Sequence, residues 1–176
     1  MTLKQKIIIR PPKLSDAKSL LEMINSLVEE KAIITIQEKQ TIKDEKKYLI
    51  NRIKNGKNHF QLFLIIDGEV MGNARITRQG LTKEHVGQIG ITLKKEARGR
   101  GLGEKLLKEV IKQGTKKFKL KIITLEVLSK NKIAQNLYKK LGFKNAGVIK
   151  GGTRHYDKYE DVVTMVKYLK KELLNK

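Results

Sequence analysis

The sequence predicts an α/β layered fold in which helices flank a mixed, mostly antiparallel sheet. Short runs rich in β-branched residues alternate with stretches whose apolar residues recur at three and four positions, in the order βααβββαβαββ. The 176 residues are 39% hydrophobic and 32% charged, which is ordinary for one globular domain. Because no linker or internal repeat interrupts the pattern, a single domain is expected over residues 1–176.

The amino-terminal part of the chain predicts a strand and then a helix. Residues 6–10 form a β-rich run that ends at two prolines, which cannot donate to a ladder of hydrogen bonds. Ser15 or Asp16 is expected to cap the first helix, whose apolar residues within 17–28 form one stripe. Residues 31–40 fit either a loop or a short helix.

A second helix and a three-stranded meander are expected next. The helix should run from about residue 41 to a stop at Asn55-Gly56. Its inner face is expected to carry Tyr48, Leu49, Arg52 and Ile53. Residues 60–66 and 69–78 should pair as a hairpin, because Asp67-Gly68 supplies the positive φ angles of a two-residue turn. Residues 84–93 are expected to form the third strand.

The pattern continues with two helices around a strand. The first of these helices should begin near Leu102 and end before Lys121, with lysines opposite its apolar stripe. Residues 122–128 are apolar and β-branched, which favours a central strand buried on both faces. Asn131 is expected to cap a helix over 132–141, which Gly142 would end.

Two strands, 143–149 and 161–169, are expected to complete the sheet around a loop at residues 150–157. The loop contains Gly151-Gly152. An exposed strand edge near the carboxyl end predicts a surface on which two copies of the chain could pair as a homodimer.

A basic, glycine-rich turn at residues 94–103 lies between the third strand of the meander and the next helix. Gly99, Gly101 and Gly103 permit positive φ angles, so that successive N–H groups can point at anionic oxygens. The positive end of the following helix dipole favours the same charge. Full positive charges come from Lys94, Lys95, Arg98, Arg100 and Lys105. The turn therefore predicts a diphosphate site, although a tight connection without a ligand has the same pattern.

Composition excludes several other classes of site and location. The chain has no cysteine, which rules out disulfides, cysteine nucleophiles and thiolate metal sites. Its three histidines are scattered, so no metal site is expected. No apolar run is long enough for a membrane span, and no signal-peptide core precedes the first strand. A cytoplasmic location is the expectation that follows.

The formal net charge of +21 predicts attraction to polyanions. A nucleic-acid partner is one explanation. The favoured explanation is a skewed genome composition, because lysines distributed along a chain usually form a solvated surface. The aromatic residues also show no stacking pattern typical of single-strand binders. A basic nucleic-acid-binding module nevertheless remains an alternative class of function.

Two segments resemble the GNAT superfamily of acetyl-CoA-dependent N-acetyltransferases. Residues 98–103, Arg-Gly-Arg-Gly-Leu-Gly, are similar to its (Q/R)xxGx(G/A) loop. Residues 125–143, which contain Asn131 and Tyr138, are similar to its second motif. The resemblance covers nearly the whole chain, and the family has the same order of elements. It implies an enzyme that transfers an acetyl group from acetyl-CoA to an amine in a ternary complex, or a GNAT fold that senses CoA without turnover.

The resemblance also implies roles for individual residues. The residues of the loop that would hold the CoA pyrophosphate are Arg98, Gly99, Arg100, Gly101, Leu102 and Gly103. Backbone groups of Ile91, Thr92 and Leu93 would bind the acetyl and pantetheine amide groups. Asn131 would contact the pantetheine arm, and Tyr138 would protonate the departing thiolate. These two residues are seven apart, about two helical turns, and so share a helix face.

The general base is where the sequence departs from the family pattern. Many members have a glutamate at the position of Gln88, and an amide cannot serve as a base. Glu84, His85 and Glu126 are candidates that would act through water, each with an alternative as a solvated strand residue or ion-pair partner. An amine that arrives neutral would need no dedicated base.

The acceptor amine is left open by the sequence. A protein N-terminus, a lysine, an amino acid and a small-molecule amine are all compatible with it. Specificity is expected from the connection at residues 29–40, the turn at 80–84 and the loop at 150–157. The overall positive charge argues against a polycationic acceptor.

Overall fold

A computed structural model of the chain describes residues 5–34, 36–54 and 56–170. The segment before residue 5 and the predicted helix stop at Asn55 lie outside the described residues. The helices are α1 Ala17–Glu29, α2 Ile42–Lys54, α3 Leu102–Phe118 and α4 Lys132–Lys140. The strands are β1 Ile7–Arg10, β2 His59–Ile66, β3 Glu69–Arg78, β4 Val86–Leu93, β5 Ile122–Leu128, β6 Lys144–His155 and β7 Lys158–Tyr168. The predicted order βααβββαβαββ is confirmed.

The seven strands have the order β1-β2-β3-β4-β5-β7-β6. Strand β1 pairs antiparallel with β2, and β7 pairs antiparallel with both β5 and β6. Strands β4 and β5 are parallel, and α3 connects them. The mixed, mostly antiparallel sheet with flanking helices confirms the predicted fold class.

The chain divides into two compact units, one of Met1–Arg75 and Ile91–Val110, the other of Ile76–Gly90 and Ile111–Lys176. The expectation of one domain over residues 1–176 stays a prediction. No helix in the described part of the chain combines the length and the apolar character that a membrane crossing requires.

The core of the first unit lies where α1 and α2 pack with β2 and β3. Its buried members are Ala17, Leu20, Met23, Ile24, Leu27, Leu49, Phe63, Ile65 and Val70. The predicted apolar stripe of α1 supplies most of them. Asp16 precedes α1 as expected, but its carboxylate accepts from the Lys13 N–H at 2.7 Å and pairs with Arg10, so it stabilises the turn before the helix.

Helix α2 differs from its predicted inner face at one end. Leu49 is fully buried, but Ile53 is 51% exposed, so the expectation was wrong for this residue. The buried face extends towards the start of the helix instead, where Glu45 is only 4% exposed. The connection before α2 is irregular in its described residues, and Asn25 fixes its end through two hydrogen bonds with the Gln40 backbone.

The hairpin of β2 and β3 is confirmed. Asp67 and Gly68 form its turn with φ angles of 50° and 92°. In the second unit, the expectation that β5 is buried on both faces is wrong. Ile123, Leu125 and Val127 are buried, whereas Glu126 is exposed, because the polar residues of this strand alternate with the apolar ones.

The predicted loop at residues 150–157 is also wrong, because most of it belongs to a long hairpin. Strands β6 and β7 meet at a turn of Tyr156 and Asp157. Gly151 and Gly152 lie at an irregularity in the β6–β7 register between Ile149 and Thr153. The glycines therefore accommodate a bulge within the strand, and Asp161 accepts a hydrogen bond from the Gly151 N–H at 3.0 Å.

Candidate active site

The glycine-rich turn joins β4 to α3 in the first unit. A short 3₁₀ turn, Lys95–Ala97, follows β4, and α3 begins at Leu102. Gly99 and Gly101 have φ angles of 70° and 72°. A Cβ atom at either position would meet no atom within 4 Å, so the need for glycine there is one of backbone conformation.

The backbone of this turn leaves a row of hydrogen-bond donors unused. Among the described residues, no group accepts a hydrogen bond from the N–H of Gly99, Arg100, Gly101, Leu102 or Gly103. These donors lie at the amino end of a 17-residue helix, whose dipole favours an anion. The turn can therefore bind an anion through its backbone.

The two arginine side chains of the turn bond to the protein itself. The Arg98 guanidinium donates to the Leu93 carbonyl at 2.9 and 3.0 Å and pairs with Glu30 at the end of α1. The Arg100 guanidinium donates to the side chain of Gln5 at 2.5 Å. Arg98 thus ties the turn to the end of β4, and the binding of an anion would depend mainly on the backbone.

Ile91, Thr92 and Leu93 are the last three residues of β4, and all are half-buried. The next residue, Lys94, donates its N–H to the Met71 carbonyl at 2.9 Å, which continues the contact with β3. A Cβ atom on Gly72 would lie 2.4 Å from Leu93 Cδ2. Glycine at position 72 therefore makes room for the Leu93 side chain.

Helix α4 in the second unit carries Asn131 and Tyr138. Asn131 is the N-cap, as predicted, and its Oδ1 accepts from the Ala134 N–H at 3.0 Å. This bond uses the side-chain oxygen and leaves the amide NH₂ as a donor. Gln135 holds the preceding turn by donating to the Leu128 and Ser129 carbonyls.

Tyr138 is 5% exposed and meets the ring of Phe143 edge-on, with 5.8 Å between centroids. Its hydroxyl makes no hydrogen bond with the described residues. Burial raises the pKa of the phenol to about 12. The hydroxyl therefore keeps its proton over the whole physiological pH range.

The three candidate bases have different surroundings in the second unit. Glu84 precedes β4 and pairs with Arg78 at 3.6 Å. His85 also precedes β4, and its carbonyl accepts from the Lys121 N–H at 2.8 Å. Glu126 is exposed on β5.

Glu126 shares a sheet face with Gln88. The register pairs Gln88 of β4 with Thr124 of β5, and Glu126 follows Thr124 by two residues. Residues paired across neighbouring strands, and residues two apart in one strand, point to the same face. Of the three candidates, Glu126 is therefore the one on β5 beside the position where the family has its glutamate.

A cluster of polar residues in the first unit was not found by sequence reasoning. Tyr48 bonds to Gln61, Gln61 bonds to Asn73, and Arg52 bonds to His59. The signal in the sequence is the spacing, because His59 and Gln61 are two apart in one strand, as are Asn73 and Arg75 in the next. Polar residues at alternate positions of otherwise apolar strands indicate a shared polar face.

A model of the acetyltransferase (GNAT) family matches residues 22–143. The chain belongs to the GNAT acetyltransferase family. The match includes the glycine-rich turn, Asn131 and Tyr138. As a family member, the protein is an N-acetyltransferase that uses acetyl-CoA as its cosubstrate.

The chain is also similar to individual acetyltransferases. L-amino acid N-acetyltransferase AaaT of Escherichia coli is 31% identical over 108 residues, which cover 61% of this chain and 67% of AaaT. A GNAT-family acetyltransferase structure from Streptococcus pneumoniae is 25% identical, with a TM-score of 0.81, and covers 93% of this chain and 100% of its own. The acetyl-CoA complex of yncA, a putative acetyltransferase from Salmonella typhimurium, is 19% identical, with a TM-score of 0.81 and coverages of 94% and 95%.

Proposed function

We propose that the acceptor is a free L-amino acid, which is acetylated on its α-amino group. The observation that carries this proposal is the likeness to AaaT, whose name states that class of substrate. The net charge of +21 is compatible with it, because a positive field repels polyamines but not a zwitterionic amino acid, whose net charge is zero.

The reaction is proposed to proceed by direct attack in a ternary complex. The neutral amine forms a bond to the thioester carbonyl carbon, the carbon–sulfur bond then breaks, and the electron pair leaves with sulfur. Tyr138 gives its proton to the thiolate, and the nitrogen loses one proton to a base. Since the phenol, with a pKa of about 12, is a weaker acid than a thiol, with a reference pKa of about 8.5, this transfer is uphill and is completed by the return of a proton to Tyr138 from water.

The cosubstrate is proposed to bind through backbone groups. The free N–H groups of residues 99–103 would hold the pyrophosphate of CoA, with Arg98 keeping the turn in shape. Backbone groups of Ile91, Thr92 and Leu93 would bind the acetyl and pantetheine amides. The amide NH₂ of Asn131 would donate to the pantetheine arm, while its Oδ1 caps α4.

Glu126 is proposed as the base that takes the amine proton through a water molecule. Its position on the Gln88 face supports this role. Glu126→Gln should lower kcat by about tenfold or more, with little change in acetyl-CoA affinity. Glu84→Gln is the matched control, since Glu84 has Arg78 as its partner. An unchanged kcat in Glu126→Gln would remove Glu126 as the base.

A competition experiment tests the acceptor class. The purified protein is incubated with isotope-labelled acetyl-CoA and an equimolar mixture of the proteinogenic L-amino acids, spermidine and a peptide with an amino-terminal alanine. Mass spectrometry then identifies the labelled products. The proposal predicts labelled N-acetyl amino acids, and labelling of only the peptide or spermidine would contradict it.

A further inference from the structure

We propose that Arg52, His59 and Arg75, here called the arginine patch, bind the carboxylate of the amino-acid acceptor. This inference rests on the proposed acceptor class. All three residues belong to the first unit, where α2, β2 and β3 each contribute one of them. The patch would make these residues determinants of specificity, distinct from the groups that hold acetyl-CoA.

Spacing places the patch on one continuous polar surface. Tyr48 and Arg52 are four residues apart in α2 and so lie on the same helix face. His59 and Gln61 are two residues apart in β2, as are Asn73 and Arg75 in β3. Residues two apart in a strand share a face of the sheet.

Side-chain contacts join the three elements. Arg52 Nη1 lies 2.8 Å from His59 Nδ1, and the Arg52 guanidinium lies 5.1 Å from the centre of the Tyr48 ring. The Tyr48 hydroxyl donates to Gln61 Oε1 at 3.2 Å. Gln61 Nε2 donates to Asn73 Oδ1 at 2.8 Å. The network thus extends from the buried amides of Gln61 and Asn73 to the half-buried guanidinium of Arg52.

The described residues do not neutralise the charges of Arg52 and Arg75. Among the described residues, no carboxylate lies within ion-pair distance of Arg52 or Arg75. The pKa of His59 is lowered, first by burial and then by the charges of Arg52 and Arg75. Since a guanidinium can only donate, His59 Nδ1 accepts the bond from Arg52, as a neutral imidazole does.

A guanidinium bonded to a neutral imidazole, with a second arginine on the same face of the neighbouring strand, suits a carboxylate. A guanidinium presents parallel N–H donors that match the two oxygens of a carboxylate. Because both arginines are only half-buried, solvent can reach the patch, but it competes less there than at a fully exposed charge. An amine that lacks an anionic group would have no such partner at the patch.

The test measures binding at the patch without catalysis. N-acetylglycine has the carboxylate but no reactive amine, whereas glycinamide has the amine but no carboxylate. Proton NMR follows the imidazole signals, and the chain has only three histidines, so His85 and His155 are internal references. N-acetylglycine should raise the His59 pKa by offsetting the arginine charges, and glycinamide should not.

Four variants identify the groups responsible. Arg52→Met and Arg75→Met should each weaken N-acetylglycine binding by about tenfold or more, the scale expected for the loss of a charged hydrogen-bond donor. Lys108→Met removes a charge that is paired with Glu104 on the exposed face of α3, and should leave binding unchanged. Arg75→Lys keeps the charge but loses the guanidinium donors. It replaces Arg75→Met in the binding test if that variant does not fold.

The outcomes separate this inference from the proposed acceptor. No response of His59 to N-acetylglycine, an equal response to glycinamide, or unchanged binding in both methionine variants would overturn the carboxylate site. Binding of inorganic phosphate in place of N-acetylglycine would also overturn it. Selective N-acetylglycine binding at the patch supports the site even where the competition experiment yields no N-acetyl amino acid, a result that would contradict only the acceptor class.

Discussion

Tyr138 shows how burial changes the acidity of a single residue. Its ring packs against Phe143, its hydroxyl makes no hydrogen bond with the described residues, and its pKa is about 12. A phenol in this state keeps its proton at neutral pH and is a weaker acid than an alkyl thiol, whose reference pKa is about 8.5, so full transfer of its proton to the thiolate is uphill. The protonated hydroxyl is a hydrogen-bond donor, and its proposed role is to donate to the departing sulfur.

Tyr138→Phe should lower kcat by about a hundredfold, because general acid catalysis typically contributes that much or more. The acetyl-CoA dissociation constant should change little, since the ring and its contact with Phe143 remain. Steady-state kinetics and calorimetry measure the two quantities, and thermal unfolding is the control for folding. If kcat stayed at the wild-type value, Tyr138 would not be the acid.

The raised pKa of the Glu45 carboxyl group should make the stability of the protein depend on pH. Burial and the neighbouring charge of Asp44 raise its pKa from 4.5 to about 7. The unfolded chain loses this proton near pH 4.5 and the folded chain near pH 7, so the folded state binds more protons in between. Stability should therefore fall as the pH rises from 4.5 to 7, by at most roughly 3 kcal/mol.

Glu45→Gln should remove that loss, because a neutral amide of the same shape has no proton to release. The variant should be less sensitive to pH than the wild type over this range and more stable above it. Urea unfolding at a series of pH values measures the effect. Parallel stability curves for the two proteins would show that Glu45 is not the group responsible.

Single residues were predictable where the signal is local. Asn131 was identified as an N-cap because one side chain and the following helix suffice to define that role. The burial of Glu45 and the ion pair of Arg98 with Glu30 could not be predicted. Arg98 and Glu30 are 68 residues apart, and no local pattern relates them.

At the scale of elements, the proposed binding of CoA depends most on the backbone conformation of the glycine-rich turn. Gly101→Val should raise the acetyl-CoA dissociation constant by about tenfold or more, since a β-branched residue at φ 72° costs about 1–3 kcal/mol or changes the turn. Calorimetry gives the affinity, and kcat at saturating acetyl-CoA should be less affected.

Gly147→Val is the matched control for this substitution. Gly147 also has open space around it, but its φ angle is not positive. The Gly147→Val protein should bind acetyl-CoA as the wild type does. Wild-type affinity in Gly101→Val as well would place the phosphate site elsewhere.

Elements were predicted well where apolar periodicity and turn residues agree, as in the hairpin around Asp67-Gly68. The β6–β7 hairpin was divided wrongly, because Gly151-Gly152 has the composition of a loop. The pairing with β7, and the bond from the Gly151 N–H to Asp161, keep these residues within the strand. Long-range pairing of this kind leaves no local pattern.

At the scale of the whole molecule, the charge of +21 acts on the choice of acceptor. It attracts anions and repels polyamines at long range, an effect that weakens as salt screens it, but it exerts no net attraction on a zwitterionic amino acid. Selectivity for an amino acid must therefore come from short-range contacts, for which the arginine patch is the proposed source.

The most direct test of the acceptor is the ratio of kcat/KM for the best L-amino acid and for its amide, measured by release of the CoA thiol at physiological salt. The two compounds share the α-amino group and differ in the carboxylate. We predict a value at least about tenfold higher for the amino acid. Equal values, or a preference for the amide, would contradict acetylation of free amino acids as the function of this protein.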